Sequence, residues 1–276
     1  MLLQLGDRTY DLTSRALVMG ILNRTPDSFY DHGAYWSLDA FYARAERLVA
    51  DGADILDVGG VKAGPGPEVT ESEELDRVVP AVAGLNARFD LPVSVDTWRA
   101  SVAGEAYRQG AIVGNDISGF ADPDYLQVAA AAGATVVATH IRLAPRVADP
   151  APHYEDVVGE VAAFLLDRAH RARAAGIPDT RILIDAGLDL GKTAEQSLTL
   201  LRASDQLAGL GWPLLLSASN KTFLGVLFDL PVDQRAHPTL AAHCLGVTLG
   251  CRILRAHDVR AARRVCDVLA AVMEAV

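Results

Sequence analysis

Eight short apolar runs, each ending on polar or glycine residues and each followed by an amphipathic stretch, constrain this 276-residue chain most tightly. The runs end at Asn23, Gly59-Gly60, Asp96-Thr97, Asn115-Asp116, His140, Asp185, Ser219 and His257-Asp258. They are continuously apolar, which is how a parallel strand covered on both faces reads. The stretches between them have helical spacing. Leu38–Ala50 puts Phe41, Ala45, Leu48 and Val49 on one stripe, and residues 157–175 carry Val161, Phe164, Leu165 and Ala169 likewise. Residues 259–276 repeat Ala and Val against a face of Arg. Gly52, Gly110, Gly133, Gly176 and Gly250 stand where helices should stop before a strand. Ser37 and Thr193 stand where helices should start. Eight βα units without a break in composition predict a single domain over residues 1–276. The expected fold is a closed α/β TIM (β/α)8 barrel, with a doubly wound sheet as the rival. Residues 228–238, with Pro231 and Pro238, read as a surface excursion between units seven and eight.

Composition narrows the partners. The net charge is −10, which argues against a broad nucleic-acid surface. A small anion remains admissible, because a few local cations and backbone N–H groups suffice to hold one. No apolar run approaches the roughly 20 residues needed to cross a bilayer. The start, Met1-Leu2-Leu3-Gln4-Leu5-Gly6-Asp7, lacks the basic and apolar regions of a secretory leader. Cys244, Cys251 and Cys266 are odd in number and fit no zinc spacing, so plain reduced thiols are expected. Together these features predict a cytoplasmic protein without membrane or nucleic-acid partners.

In a barrel, every strand end opens on one face, and that face carries the chemistry. The candidate site is therefore Asn23, Asp57, Asp96, Asn115, Asp116, His140, Asp185, Ser219, Lys221, Arg255 and His257. Asp96, Asn115, Asp185 and Lys221 mix donors and acceptors, a set suited to a flat heterocycle with amide-like edges. Arg255 and His257 lie two apart on the last strand and should point the same way. With Asn23 on the neighbouring first strand, and a helix starting near Val259, they suit a diphosphate or carboxylate. A magnesium ion bridging Asn23 and a diphosphate fits that ion's taste for oxygen and retained water. Gly187-Leu188-Asp189-Leu190-Gly191-Lys192-Thr193 lacks the first glycine of a phosphate-binding loop and reads as a strand-to-helix turn. Asp39, Glu71, Glu73 and Glu74 read as solvated helix faces.

These residues carry a family resemblance. The chain resembles dihydropteroate synthase along almost its whole length. The matching strings are Met19-Gly20-Ile21-Leu22-Asn23 with Thr25-Pro26-Asp27-Ser28-Phe29, Asp57-Val58-Gly59-Gly60, Ser94-Val95-Asp96-Thr97 and Asn115-Asp116-Ile117-Ser118-Gly119. Gly191-Lys192-Thr193, Ser219 with Lys221, and Arg255-Ala256-His257-Asp258-Val259 complete them. The resemblance implies a TIM barrel, usually a homodimer, that joins a pterin diphosphate to p-aminobenzoate with magnesium in folate biosynthesis. It implies pterin binding by Asp96, Asn115, Asp185 and Lys221. It implies diphosphate binding by Arg255 and His257, a metal role for Asn23, and a place near the aminobenzoate carboxylate for Ser219.

Departures from the family pattern are concentrated. Where the family reads Glu-Ser-Thr-Arg-Pro-Gly, this chain reads Val61-Lys62-Ala63-Gly64-Pro65-Gly66, so Gly64 replaces an arginine. Ser-Arg-Lys becomes Ser219-Asn220-Lys221, and a Gly-Phe pair becomes Asp189-Leu190. Arg24 replaces a small apolar residue, Tyr30-Asp31-His32-Gly33 replaces Ser-Asp-Gly-Gly, and Asp185-Ala186 replaces Asp-Pro. Most of these changes touch the second substrate or the mouth loops. Losing one preorganised donor typically costs about 10²–10³ in rate. The expectation is a divergent paralogue that keeps much of the pterin pocket with little or no synthase activity. A working synthase using Arg24 and Lys62 is the first alternative. A pterin-binding methyltransferase-like or noncatalytic binding protein is the second.

Overall fold

In a computed structural model, which describes residues 1–25 and 37–274, the eight apolar runs become eight parallel strands. The chain opens with β1 (Leu2–Leu5) and β2 (Arg8–Asp11), an antiparallel hairpin turning at Gly6 and Asp7. There follow β3 (Leu17–Asn23), α1 (Leu38–Ala50), β4 (Ile55–Gly59), α2 (Glu71–Arg88), β5 (Val93–Asp96) and α3 (Ala100–Arg108). Next come β6 (Val113–Asp116), α4 (Tyr125–Ala131), β7 (Thr135–Thr139), α5 (Val157–Ala174), β8 (Ile182–Asp185) and α6 (Ala194–Arg202). The chain ends with α7 (Ser204–Ala208), β9 (Leu214–Leu216), α8 (Thr222–Val226), α9 (Ala236–Thr248), β10 (Cys251–Ala256) and α10 (Val259–Glu274). β3 through β10 pair in chain order, and β10 returns to β3, with Arg255 opposite Met19. The closed barrel expected from the sequence is the fold.

The strand period of two divides the core into two layers. Val18, Leu56, Val95, Val136, Ile184 and Leu254 face outward and pack under the helices. Met19, Ile55, Val113, Val137, Leu183, Leu215 and Ile253 face inward and fill the barrel. Leu3, Leu5 and Leu12, all fully buried, join that inner cluster, so the hairpin and the segment after it close one end of the barrel. Parallel strands buried on both faces need apolar residues at every position, which is why they read as runs.

The local punctuation behaves as its chemistry dictates. Gly52, Gly110 and Gly250 adopt φ of 94°, 102° and 102° after α1, α3 and α9, a region where a side chain would strain the backbone. Ser37 accepts from the Ala40 N–H at the start of α1, and Thr193 forms a reciprocal capping box with Gln196 at the start of α6. The three cysteines are free thiols. Among the described residues no helix is long and apolar enough to cross a membrane.

Three features outside the mouth differ from the sequence reading. The β1–β2 hairpin was not expected. Residues 228–238 are not a plain loop, since Val232–Gln234 form a 3-10 turn and Ala236 already begins α9. Glu74 is not on a solvated face: it is fully buried, and its carboxylate accepts from Thr97 Oγ1 at 2.6 Å and pairs with Arg99. Burial between α2 and the barrel raises the Glu74 pKa, and those two partners oppose the shift. The loop positions Pro26, Asp27, Ser28, Phe29, Tyr30, Asp31, His32 and Gly33 lie outside the described residues.

Candidate functional site

The inward period that places Ile55, Val113, Leu183 and Ile253 in the apolar layer places Asp57, Asn115, Asp185 and Arg255 two residues further on. Asp96 follows the buried Ser94 in the same way. The barrel thus changes from apolar to polar in one step along four strands, and β5 adds Asp96 beyond Ser94, at the ends where the loops begin. Residues scattered over two hundred positions meet at one mouth.

Arg255 stands at the centre. Its Nε donates to Asp57 Oδ2 at 2.6 Å and its Nη2 to Asp96 Oδ2 at 2.8 Å. Asn115 Nδ2 donates to the same Asp57 oxygen at 3.3 Å, so Asp96, Arg255, Asp57 and Asn115 form one linked network. Asp57 is fully buried, and its Oδ1 has no hydrogen-bond partner among the described residues. Burial pushes the Asp96 carboxyl up to about 7. Arg255 pulls it down, and Asp57, Glu74 and Asp116 push it further up. The sequence placed Asp57 at a strand end but gave it no task; here it anchors the arginine. Its signal was visible only as a carboxylate opposite an arginine across a closed barrel.

Asp185 and Lys221 form the other half of the floor. Asp185 Oδ1 accepts from the Gly187 N–H at 2.8 Å, and Lys221 Nζ donates to the Leu188 carbonyl at 2.5 Å. Burial raises the Asp185 pKa, and Lys221 is the largest influence opposing it, with Arg255 contributing. Burial lowers the Lys221 pKa, opposed chiefly by Asp185. Each charge thus opposes the other's shift across the floor, although each makes its hydrogen bond to the backbone of the loop after β8.

The loop after β8 is organised from within. Lys192 is buried, and its Nζ lies 2.8 Å from His140 Nδ1, 2.9 Å from the Gly187 oxygen and 3.1 Å from the Leu190 oxygen. His140 is thereby a support for Lys192, packed edge-on against Phe164, and not a group displayed in the mouth. Burial brings Lys192 down to about 7 and His140 down to about 3. The segment is a strand-to-helix turn, as its sequence suggested, and not a phosphate loop.

Ser219 and His257 form a pair. Ser219 Oγ lies 2.9 Å from His257 Nδ1 and accepts from the His257 N–H at 3.1 Å. β10 ends at Ala256, so His257 follows the strand and does not sit on it. Burial, with Arg255 and Arg44 nearby, lowers the His257 pKa to about 3, which keeps the ring neutral. The start of α10 is already served by its own chain, because Asp258 Oδ1 accepts from the Ala261 N–H at 3.0 Å. Asn23 is half-buried at the end of β3. Its Oδ1 and Asp96 Oδ2 face the bare Cα of Gly59, at 3.5 and 3.7 Å from where a Cβ would stand. Asp116 faces the loop behind it, accepting from the N–H groups of Ser118 and Phe120. Among the described residues no group of three or more His, Cys, Asp or Glu gathers as a metal site.

Such a mouth offers a floor of alternating charge for a planar ring, an arginine beside it, and a neutral amide oxygen at the rim. Known proteins match the chain that forms it. The family described as "Pterin binding enzyme" matches residues 19–257. The chain is 45% identical over 264 residues to the inactive dihydropteroate synthase 2 of Mycobacterium leprae, covering 94% of this chain and 91% of that protein. It is 40% identical over 269 residues to the dihydropteroate synthase of Synechocystis, covering 96% and 93%. The crystal structure of Yersinia pestis dihydropteroate synthase with a sulfonamide drug complex superimposes with a TM-score of 0.95 over 100% of both chains, at 37% identity. The chain belongs to the dihydropteroate synthase family of pterin-binding enzymes.

Proposed function

We propose that this chain binds a pterin diphosphate in the barrel mouth and converts little or none of it to dihydropteroate. Asp96, Asn115, Asp185 and Lys221 hold the ring, and Arg255 and His257 receive the diphosphate. Arg255 has five N–H donors, more than its bonds to Asp57 and Asp96 require, so it can bind an oxygen without leaving them. Ser219 borders the second ligand. A magnesium ion fits at Asn23 if the diphosphate and water supply most of its ligands, since among the described residues the Asn23 and Asp96 oxygens are the ones that face Gly59 there. When bound, the ion would offset charge on the leaving diphosphate. A homodimer is expected, supported by the exposed Leu245 on α9 and Val268 and Val272 on α10. A cytoplasmic location is the corresponding expectation.

One observation carries the reading: Asp96, Asn115, Asp185, Lys221 and Arg255 are brought to one mouth, while several of the altered positions among the described residues gather in the loops beside it, where this reading puts the second ligand. Gly64, Asp189 and Leu190 line one cavity there. Asn220 engages Thr239 on α9 through its amide oxygen and backbone N–H. The test is turnover of 6-hydroxymethyl-7,8-dihydropterin diphosphate with p-aminobenzoate and magnesium, beside calorimetric pterin binding. The expected result is binding, with product formed about 10² or more slower than by an ordinary synthase. Turnover at the ordinary rate refutes it. A working synthase is the second reading, favoured by Arg146, which donates to the Lys62 and Pro67 carbonyls and so brings a guanidinium to the loop that lost one. Rescue of a folate-synthesis mutant would establish that reading.

A further inference from the structure

Beside the pterin floor lies a cavity of about 290 Å³ between the loops after β4, β7 and β8. Pro65, Ile141 and Val147 are among its apolar walls, and its charged lining residues are Asp149, Asp189 and Lys192. Each is engaged. Asp149 is gripped by Arg142, whose Nε and Nη2 donate at 2.6 and 3.1 Å. Lys192 is buried against His140 and the carbonyls of its own loop. Asp189 is the unusual one. It holds φ at 65°, a conformation that favours glycine, and the family pattern has glycine there. Its carboxylate accepts from the Thr222 N–H at 2.6 Å and from the Phe223 N–H at 3.3 Å.

Arg142 neutralises Asp149, whereas Asp189 is held by backbone N–H groups and has no ion-pair partner among the described residues, so a carboxylate entering this cavity meets the uncompensated charge of Asp189. Among the described residues the one lining cation, Lys192, is committed to its own loop and His140, and the Thr222 and Phe223 N–H groups are taken by Asp189. Like charges brought together in a partly dry site are strongly disfavoured. An apolar body without charge meets no such penalty. We propose that Asp189 sets the charge preference of this cavity, excluding carboxylate-bearing second ligands and leaving it to an uncharged, apolar-bodied amine or amide. The inference rests on reading the mouth as a pterin site with a second ligand beside it.

Titration of p-aminobenzoate and p-aminobenzamide, with and without 6-hydroxymethylpterin diphosphate, tests it. These two probes differ in charge and hardly in shape. The wild-type protein should bind the amide about tenfold or more tighter than the acid. Asp189→Asn, and independently Asp189→Gly, which suits the backbone conformation, should narrow the ratio to about threefold or less. Equal or tighter binding of the acid by the wild type overturns the proposal. So does a ratio unmoved in both variants, or failure to bind either probe in both series. Absence of pterin binding overturns the proposed function instead, and the ratio measured without pterin still judges Asp189.

Discussion

Asp57→Asn removes one charge from the centre of the mouth while keeping its shape. The carboxylate bonds Arg255 at 2.6 Å and Asn115 at 3.3 Å and is fully buried. Opposite charges about 4 Å apart at an effective dielectric near 20 attract by about 4 kcal/mol. Against this stand the cost of burying the carboxylate and its repulsion of Asp96, and Asp96 still pairs with Arg255 in the variant. The net loss should be about 1–3 kcal/mol, or about 3–10 °C in Tm for a chain of this size. The pH dependence gives a sharper signature. Asp96 is pushed up to about 7, so folded protein binds this proton more tightly than unfolded protein. Its contribution favours folding most at low pH and declines as pH rises from the ordinary carboxylate range to 7. Asp57 is one cause of the shift, so the variant's decline should be shallower. Histidines that burial keeps neutral act in the opposite direction, so the difference between the two curves is the quantity to read. Thermal unfolding from pH 4 to 8 measures it. A variant as stable as the wild type, with a parallel pH curve, would refute the clamp at Arg255.

Two further outcomes are expected. Lys192→Met leaves His140 Nδ1 and the Gly187 and Leu190 carbonyls without their shared donor and should cost about 2–4 kcal/mol in chemical denaturation; an unchanged midpoint would show that the loop does not depend on it. Leu5→Ala opens a hole where the hairpin closes the barrel and should cost about 2–5 kcal/mol; a loss under about 1 kcal/mol would mean that the hairpin does not close the inner core.

The legible and illegible parts of the sequence separate along physical lines. Strand ends were legible because a doubly covered parallel strand must be apolar until it reaches the mouth, so Asn23, Asp96, Asn115 and Asp185 announce themselves. Leu38–Ala50 was legible to the residue because its stripe, its Ser37 cap and Gly52 agree. The β1–β2 hairpin was hidden because two four-residue strands around Gly6 have too few turns of pattern, and Leu3 and Leu5 are buried by residues far along the chain. Glu74 was misread for the same reason: its partners Thr97 and Arg99 are 23 and 25 residues away and meet it only after α2 packs. Lys192 and His140 were each visible as polar residues, but nothing local said that they would turn toward each other across 52 positions. His257 was placed on the strand because its two-residue offset from Arg255 is that of a strand, whereas the pairing stops at Ala256.

The most direct measurement is calorimetric titration of 6-hydroxymethylpterin diphosphate, with magnesium, into the wild-type protein and into Lys221→Met. Lys221 opposes Asp185 on the floor, so the variant should lose about tenfold or more in affinity while remaining folded by circular dichroism. Saturable binding by the wild type that weakens in this way is the predicted result. No binding by the wild type, or equal binding by both proteins, would contradict the claim that this mouth is a pterin site.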